Sequence, residues 1–225
     1  MLAFDHLVIV SNSIEQAAKE FGKQYNQLTI QGGDHENWGT YNYLSFMKNN
    51  SYIEWLGVKE EAKAAASDNP LIQQTVEATK KNIEGPITFA FRTTKMYELI
   101  SYYDKEGISY KGPFPGRRTR PDGTLLKWRM LFPESTAYKG TLTFLIEWNG
   151  DGNRPTDPTQ INETAFTSIA IGVDNIDEFQ VLYRLGEPKQ DNKWVLENGT
   201  LLLHSNQGLE AQFEHIMIST KNQLG

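Results

Sequence analysis

Four residues are of a type, and in a setting, that could carry acid–base or metal chemistry: His6, His35, Glu54 and Glu147. His6 interrupts an otherwise apolar run, Phe4–Val10 (FDHLVIV). A histidine there is either a hydrogen-bonded core residue or a group aimed into a cavity. Glu54 and Glu147 fall in YIEW and LIEW, each between large side chains. Side chains alternate along a strand, so a glutamate whose neighbours Ile53 and Trp55 face helices must face the other way. A carboxylate buried there needs a partner: a metal, an arginine such as Arg118 or Arg129, or a substrate. Without one its pKa would rise and it could serve as a general base. His35 lies in a glycine-rich string, Gly32–Asn42 (GGDHENWGTYN), with Trp38 and Asn42. Gly32, Gly33 and Gly39 suggest backbone conformations closed to other residues. The string is either a substrate-contacting loop, with His35 as acid, base or ligand, or a tight bulge with a solvent histidine. Gly116–Trp128 (GRRTRPDGTLLKW) holds Arg117, Arg118 and Arg120 before a Pro121-Asp122-Gly123 turn. Such a run is a solvated face or an anion site, because arginine pairs bidentately with carboxylate and phosphate. Trp128 lines a cavity or packs in a core.

The elements that would position these residues repeat. Phe4–Val10 is a strand-like run followed by Ser11–Ser13, a turn and cap, and then by Ile14, Ala17, Ala18 and Phe21 at helical spacing. The same pattern returns without gaps at Pro86–Tyr103 and at Phe166–Tyr183, offset by 82 and 162 residues. Each unit ends in a similar run: YIEW at 52–55, LIEW at 145–148 and QFEH at 212–215. Lys48-Asn49-Asn50 separates two strand-like runs as a hairpin would, and Lys127–Phe132 with Thr141–Trp148 forms a second pair. The predicted organisation is α+β, with tandem βαβββ modules forming a cupped mixed sheet. Module 1 spans 1–58, a helical insertion 59–85 and module 2 86–150. After a Gly/Pro/Asp-rich linker at 149–160, a third, degenerate half-module at 161–220 packs on the first two.

This arrangement resembles the vicinal oxygen chelate superfamily, which includes glyoxalases, extradiol dioxygenases and bleomycin-resistance proteins, and within it the glyoxalase-like domain branch. The matching pieces are FDHLVIV, GGDHENWGTYN, YIE, RTRPDG with LKW, and FLIEW, spanning residues 4–150. The resemblance implies a divalent metal (Fe, Mn, Ni, Co or Zn) between two facing modules, held from their first and last strands. By repeat register those positions are His6, Glu54, Thr88 and Glu147. Imidazole and carboxylate suit such ions, and a metal with open positions would act as a Lewis acid on a substrate with vicinal oxygens. Thr88 departs from the pattern, because a hydroxyl is a poor ligand. His35 could complete the set. The resemblance also places the arginine loop at the pocket mouth, with Arg118 binding an anionic substrate.

With no cysteine, thiolate metal sites, disulfides and cysteine nucleophiles are excluded. A net charge of −6 argues against nucleic acid as partner. No apolar run reaches membrane-span length and the first ten residues lack a basic leader, so a cytoplasmic location is expected. Phosphate-loop, dinucleotide and nucleophile-elbow motifs are missing. In the third unit Ser168 holds the His6 register, and His204 and His215 have no metal-ligand spacing. That unit covers a sheet edge or contributes to a homodimer. Three functions remain open. The first is a metal-dependent lyase, isomerase or dioxygenase using His6, Glu54 and Glu147. The second is a metal-free module that binds or sequesters a small molecule. The third is metal-free acid–base chemistry by Glu54, Glu147 and His35. Trp38, Asn42, Arg118 and Trp128 would contact the small-molecule substrate.

Overall fold

The computed structural model describes residues 1–120, 122–135, 143–150, 152–205 and 208–220. Pro121 of the expected turn, Thr141 and Leu142 of the expected strand, and Asp151 of the linker lie outside them. Thirteen strands among the described residues join one mixed sheet, flanked by α-helices, as the α+β reading expects.

The centre is an antiparallel pair, β1 (Ala3–Val10) and β5 (Gly85–Arg92). His6 pairs with Ala90, Leu7 with Phe89 and Val8 with Thr88, so the 82-residue repeat appears as a local two-fold about Leu7 and Phe89. β4 (Ser51–Val58) runs parallel to β1, and β8 (Phe144–Trp148) parallel to β5. Outside them lie β3 (Thr40–Lys48) and β2 (Ile30–His35) on one side, β7 (Leu125–Pro133) and β6 (Tyr110–Thr119) on the other. Every residue of β1 is buried, which explains a run without polar alternation: the strand is covered on both faces.

On one face pack α1 (Ile14–Tyr25) and α4 (Met96–Glu106). Their Ile14, Phe21, Met96 and Tyr103 share a core with Leu7, Ile53, Trp55, Phe89 and Leu145. The other face is a cup, with Val8, Leu56, Ala90, Trp128, Phe144 and Ile146 packed together. The β3–β4 hairpin turns at Asn49 and Asn50, both left-handed (φ 54° and 56°), the geometry that tight hairpins require.

The insertion forms α2 (Glu61–Ala65) and α3 (Pro70–Lys80). Asn69 caps α3 by accepting from the Leu71 N–H, and Pro70 takes the first helical position, where its missing donor costs nothing. α3 brings Leu71 and Ile72 over the cup.

The C-terminal unit comprises β9 (Ile161–Gly172), α5 (Ile176–Leu182), β10 (Lys193–Leu196), β11 (Gly199–His204), β12 (Leu209–Phe213) and β13 (Ile216–Ser219). β9 adds to β3 in parallel register, with β11 parallel on one side and β12 antiparallel on the other. This repeats the surroundings of β1, so the strand equivalent to β4 is β11 rather than the expected Gln212–His215. Leu202 opposes Ala170 as Glu54 opposes Val8. Glu214 sits instead in the β12–β13 turn, accepting from the Ala165 N–H. The third unit thus keeps Ser168 and Leu202 where module 1 has His6 and Glu54. Its core is continuous with that of the first two units: the Phe4 and Phe166 rings stack at 3.9 Å, and Tyr103 Oη donates to Leu182 O at 2.6 Å.

Candidate functional site

The cup floor is built from β1 and β4. A register shift between Phe4 and His6 marks a bulge at Asp5, which re-aims the local side chains. Asp5 therefore meets its own neighbour: His6 Nδ1 lies 2.7 Å from Asp5 Oδ1. Asp5 Oδ2 accepts from Arg92 Nη1 and Trp148 Nε1, both at 3.1 Å. The other imidazole nitrogen, Nε2, lies 3.4 Å from Glu54 Oε2. Tyr52, two residues before Glu54 on the same strand face, stacks on the His6 ring at 4.5 Å.

β2 and β3 supply the next layer. The glycine-rich string is a hairpin, with His35 opposite Thr40, and His35 is buried. Its Nδ1 meets Thr40 Oγ1 at 3.0 Å and its Nε2 faces Asn42 Nδ2 at 3.5 Å. Asn42 is bonded at both ends: Nδ2 donates to Glu54 Oε1, while Oδ1 accepts from Arg118 Nη1 at 3.0 Å. Gly33 (φ +134°) and Gly39 (φ +63°) adopt conformations that disfavour a side chain. Gly32 has a different reason: a Cβ there would run into Asn42 Oδ1 and Arg118 Nη1.

Arg118 enters from β6 and is 3% exposed. Its second bond, from Nη2, goes to Asn153 Oδ1 at 2.9 Å. Both acceptors are neutral amides, and among the described residues Arg118 forms no ion pair. The walls are Trp38, Trp128, Trp148, Leu56 and Met130, with Leu71 and Ile72 of α3 closing one side. The space left between these side chains is about 30 Å³, room for roughly two waters.

Burial sets the protonation states and charges then redirect them. Burial alone would push His6 down, but hydrogen bonds and charges from Asp5 and Glu54 outweigh it and raise its pKa to about 9. Burial likewise pushes Glu54 up; the His6 hydrogen bond and charge, then His35 and Asn42, hold it at about 2. At His35 burial outweighs the opposing Glu54 charge and, with the Arg118 charge beside it, drives the imidazole down to about 4. At neutral pH the cluster therefore holds an imidazolium, a carboxylate and a neutral imidazole, beside the Arg118 guanidinium. The condition for a raised, general-base Glu54, the lack of a partner, is not met: its partners keep it ionised.

His6, His35, Trp38, Asn42, Glu54, Arg118 and Trp128 are thus brought to one cavity. Glu147 is not. Ile146 and Trp148 line the cup, so Glu147 between them faces α4. There it pairs with Arg129 and accepts from the Met96 N–H at the start of the helix. Strand register gives the physical reason. Glu54 opposes Val8; the repeat carries Val8 onto Ala90, which opposes Phe144. The structural counterpart of Glu54 is therefore Phe144, three residues before Glu147, and an odd shift reverses the face. Tyr52, Phe144, Asp5, Trp148 and Asn153 are site residues that sequence reasoning missed. Tyr52 was accessible from its two-residue spacing to Glu54. Asn153, in the linker, carried no signal.

Members of the vicinal oxygen chelate superfamily commonly use divalent metals, and this donor set does not fit one. Of the four positions from which the modules would reach an ion, two hold Thr88 and Phe144. The Asn42 amide occupies Glu54 Oε1, and His6 faces Glu54 directly. Among the described residues no three His, Asp or Glu side chains converge as a metal site would need.

A family model described as a glyoxalase-like domain matches residues 4–185. No curated protein matches the chain. Among solved structures, a hypothetical protein from Staphylococcus aureus superposes with a TM-score of 0.74 at 16% identity, covering 95% of this chain and 89% of that one. A Streptomyces coelicolor methylmalonyl-CoA epimerase variant in complex with 2-nitronate-propionyl-CoA gives 0.50 at 19% identity, covering 69% of this chain and 100% of that one. Methylmalonyl-CoA epimerase from Mycobacterium tuberculosis gives 0.46 at 11%, covering 65% and 86%. The first two of these likenesses show the fold alone.

Proposed function

The chain belongs to the glyoxalase-like domain family of the vicinal oxygen chelate superfamily, and on that premise we propose that its cup, widened as Leu71 and Ile72 of α3 move aside, binds a small organic anion directly on protein side chains and transfers a proton on it. The observation that carries this reading is Arg118, a buried guanidinium held only by neutral amides. Glu54 reaches Arg118 only through the Asn42 amide, and a buried charge without a direct ion pair is costly. A ligand carboxylate would supply the counter-ion and a bidentate partner. Adjacent oxygens of a 2-hydroxy or 2-oxo acid would then face Arg118 and His6, which take the electrostatic role that a Lewis acid has elsewhere. Negative charge developing on the ligand would be stabilised by both cations in a water-poor space. His6 can donate a proton through Nε2, while the unprotonated Nε2 of His35 can accept one.

The aromatic walls supply the assay. Glycolate and pyruvate should quench cup-tryptophan fluorescence saturably, with no change on adding chelator, and Arg118→Met should abolish the response. Proton transfer would appear as solvent-deuterium incorporation into pyruvate in nuclear magnetic resonance spectra, lost in His35→Gln. Stoichiometric binding of a supplied divalent metal, lost in His6→Ala, would overturn the metal-free reading. Absence of any saturable quench would overturn the anion reading itself.

A further inference from the structure

Outside the cup, beyond Arg118, lies an open cleft of about 520 Å³ between the end of β2 and the tip of the β6–β7 hairpin. Arg117, Arg118 and Arg120 line it from the β6 side, Arg117 from the exposed face of the strand and Arg118 from the buried one; Gln31, Asp34, Glu36 and Asn37 line it from the β2 side. The cationic side is not neutralised. Arg117 is directly opposite Lys127 across the β6–β7 ladder, a like-charge pairing that destabilises a sheet on its own. Arg120 is half-buried and donates to Arg154 O at 2.6 Å, a neutral carbonyl. Arg120 Nη2 also approaches Asn153 Oδ1, the oxygen that Arg118 uses, at 3.5 Å. Two guanidiniums thus converge on one uncharged acceptor. Among the described residues none of Arg117, Arg118, Arg120 and Lys127 forms an ion pair. Of the cleft's own acids, Asp34 is paired with Lys59, and Glu36 is exposed to water, where its charge is screened. Asp122 accepts from Thr124 N and Thr156 Oγ1, and its charge acts on Arg120 through space without an ion pair. In a chain of net charge −6, this concentration of unpaired cations around a cavity is a local exception.

We infer that this cleft is a second ligand subsite, separate from the cup, which takes a multivalent oxyanion on Arg117 and Arg120. Planar guanidiniums suit phosphoryl and carboxylate oxygens alike, and the cleft is large enough for a pyrophosphate-sized group. Arg118 lines both spaces, so a ligand with a small acid head and a multianionic tail could occupy them together. The subsite does not depend on the reading of the cup.

Calorimetric titration of the full chain with inorganic pyrophosphate, with citrate and with glycolate tests it. At about 0.15 M salt, pyrophosphate or citrate should bind saturably, and whichever binds more tightly identifies phosphoryl or carboxylate as the preferred group. Arg117→Gln, at an exposed strand position where folding is not at risk, and Arg120→Gln should together weaken that binding by at least about tenfold. Glycolate binding should stay within about twofold in both variants, because neither arginine lines the cup. No saturable binding of either multianion, or binding unaffected by the two substitutions, would overturn the subsite. No glycolate binding by the unmodified chain, with multianion binding intact, would overturn the cup reading and leave the cleft standing, whereas loss of glycolate binding in the two variants would overturn the separateness of the subsite.

Discussion

His6, Glu54 and His35 show that neighbours decide whether the effect of burial on a titratable group is reversed. All three are buried, yet His6 is raised to about 9, Glu54 lowered to about 2 and His35 lowered to about 4. The signs dictate a pH profile of stability. His6 lies above its ordinary 6.5, so its contribution is complete below about 6.5 and is lost as pH rises through about 9. Glu54 lies below 4.5, so its contribution is complete above about 4.5 and is lost as pH falls through about 2, the two groups titrating as a coupled pair. His35 lies below 6.5, so the unfolded chain takes up its proton first and stability falls as pH drops from about 6.5 toward 4. Thermal unfolding measured from pH 4 to 10 should therefore peak near 6.5. His35→Gln should flatten the acid limb and His6→Asn the alkaline one. A melting temperature that keeps rising from pH 7 to 9 would contradict the assignment of His6.

At the level of elements, the repeat was legible and its exact strand register was not. His6, Glu54 and the glycine-rich string could be placed because each interrupts a strong local pattern: a charge in an apolar strand, or glycines before a conspicuous polar cluster. Glu147 resembled Glu54 because LIEW resembles YIEW, but strand faces follow ladder register, and the ladder puts Phe144 in that place. The third unit shows the same effect: QFEH resembles YIEW, but β11 takes the equivalent place in the ladder. No local signal distinguishes two strand-like runs that differ only in which neighbour they pair with. The role found for Glu147 has a measurable consequence. By accepting from the Met96 N–H it satisfies a free donor at the start of α4, and it neutralises Arg129. Glu147→Ala should cost about 1–2 kcal/mol of stability, read by denaturant unfolding. Glycolate binding should be unchanged; a variant that folds normally but loses the ligand would return Glu147 to the site.

At the scale of the whole molecule, the C-terminal unit is bound to the site through the aromatic core. Phe166 of β9 stacks on Phe4 at 3.9 Å and packs edge-on to Phe213 at 5.7 Å. Phe4 is the residue before the bulge that turns Asp5 toward His6. α5 reaches across to the helix side of module 2, where Tyr102 and Tyr103 both donate to its carbonyls. A third unit attached only by a linker could melt independently; one that shares a continuous core cannot. Phe166→Ala should therefore destabilise the entire chain by about 3–5 kcal/mol, as large-to-small changes in packed aromatic cores do. Trp194 reports the third unit and Trp128 the cup, so single-tryptophan versions keeping one or the other can follow unfolding separately. Both should shift by the same amount in one transition. If the Trp194 signal moved to lower denaturant while the Trp128 signal stayed, the third unit would be an independent appendage, and the positioning of Asp5 and His6 would have to come from the first two modules alone.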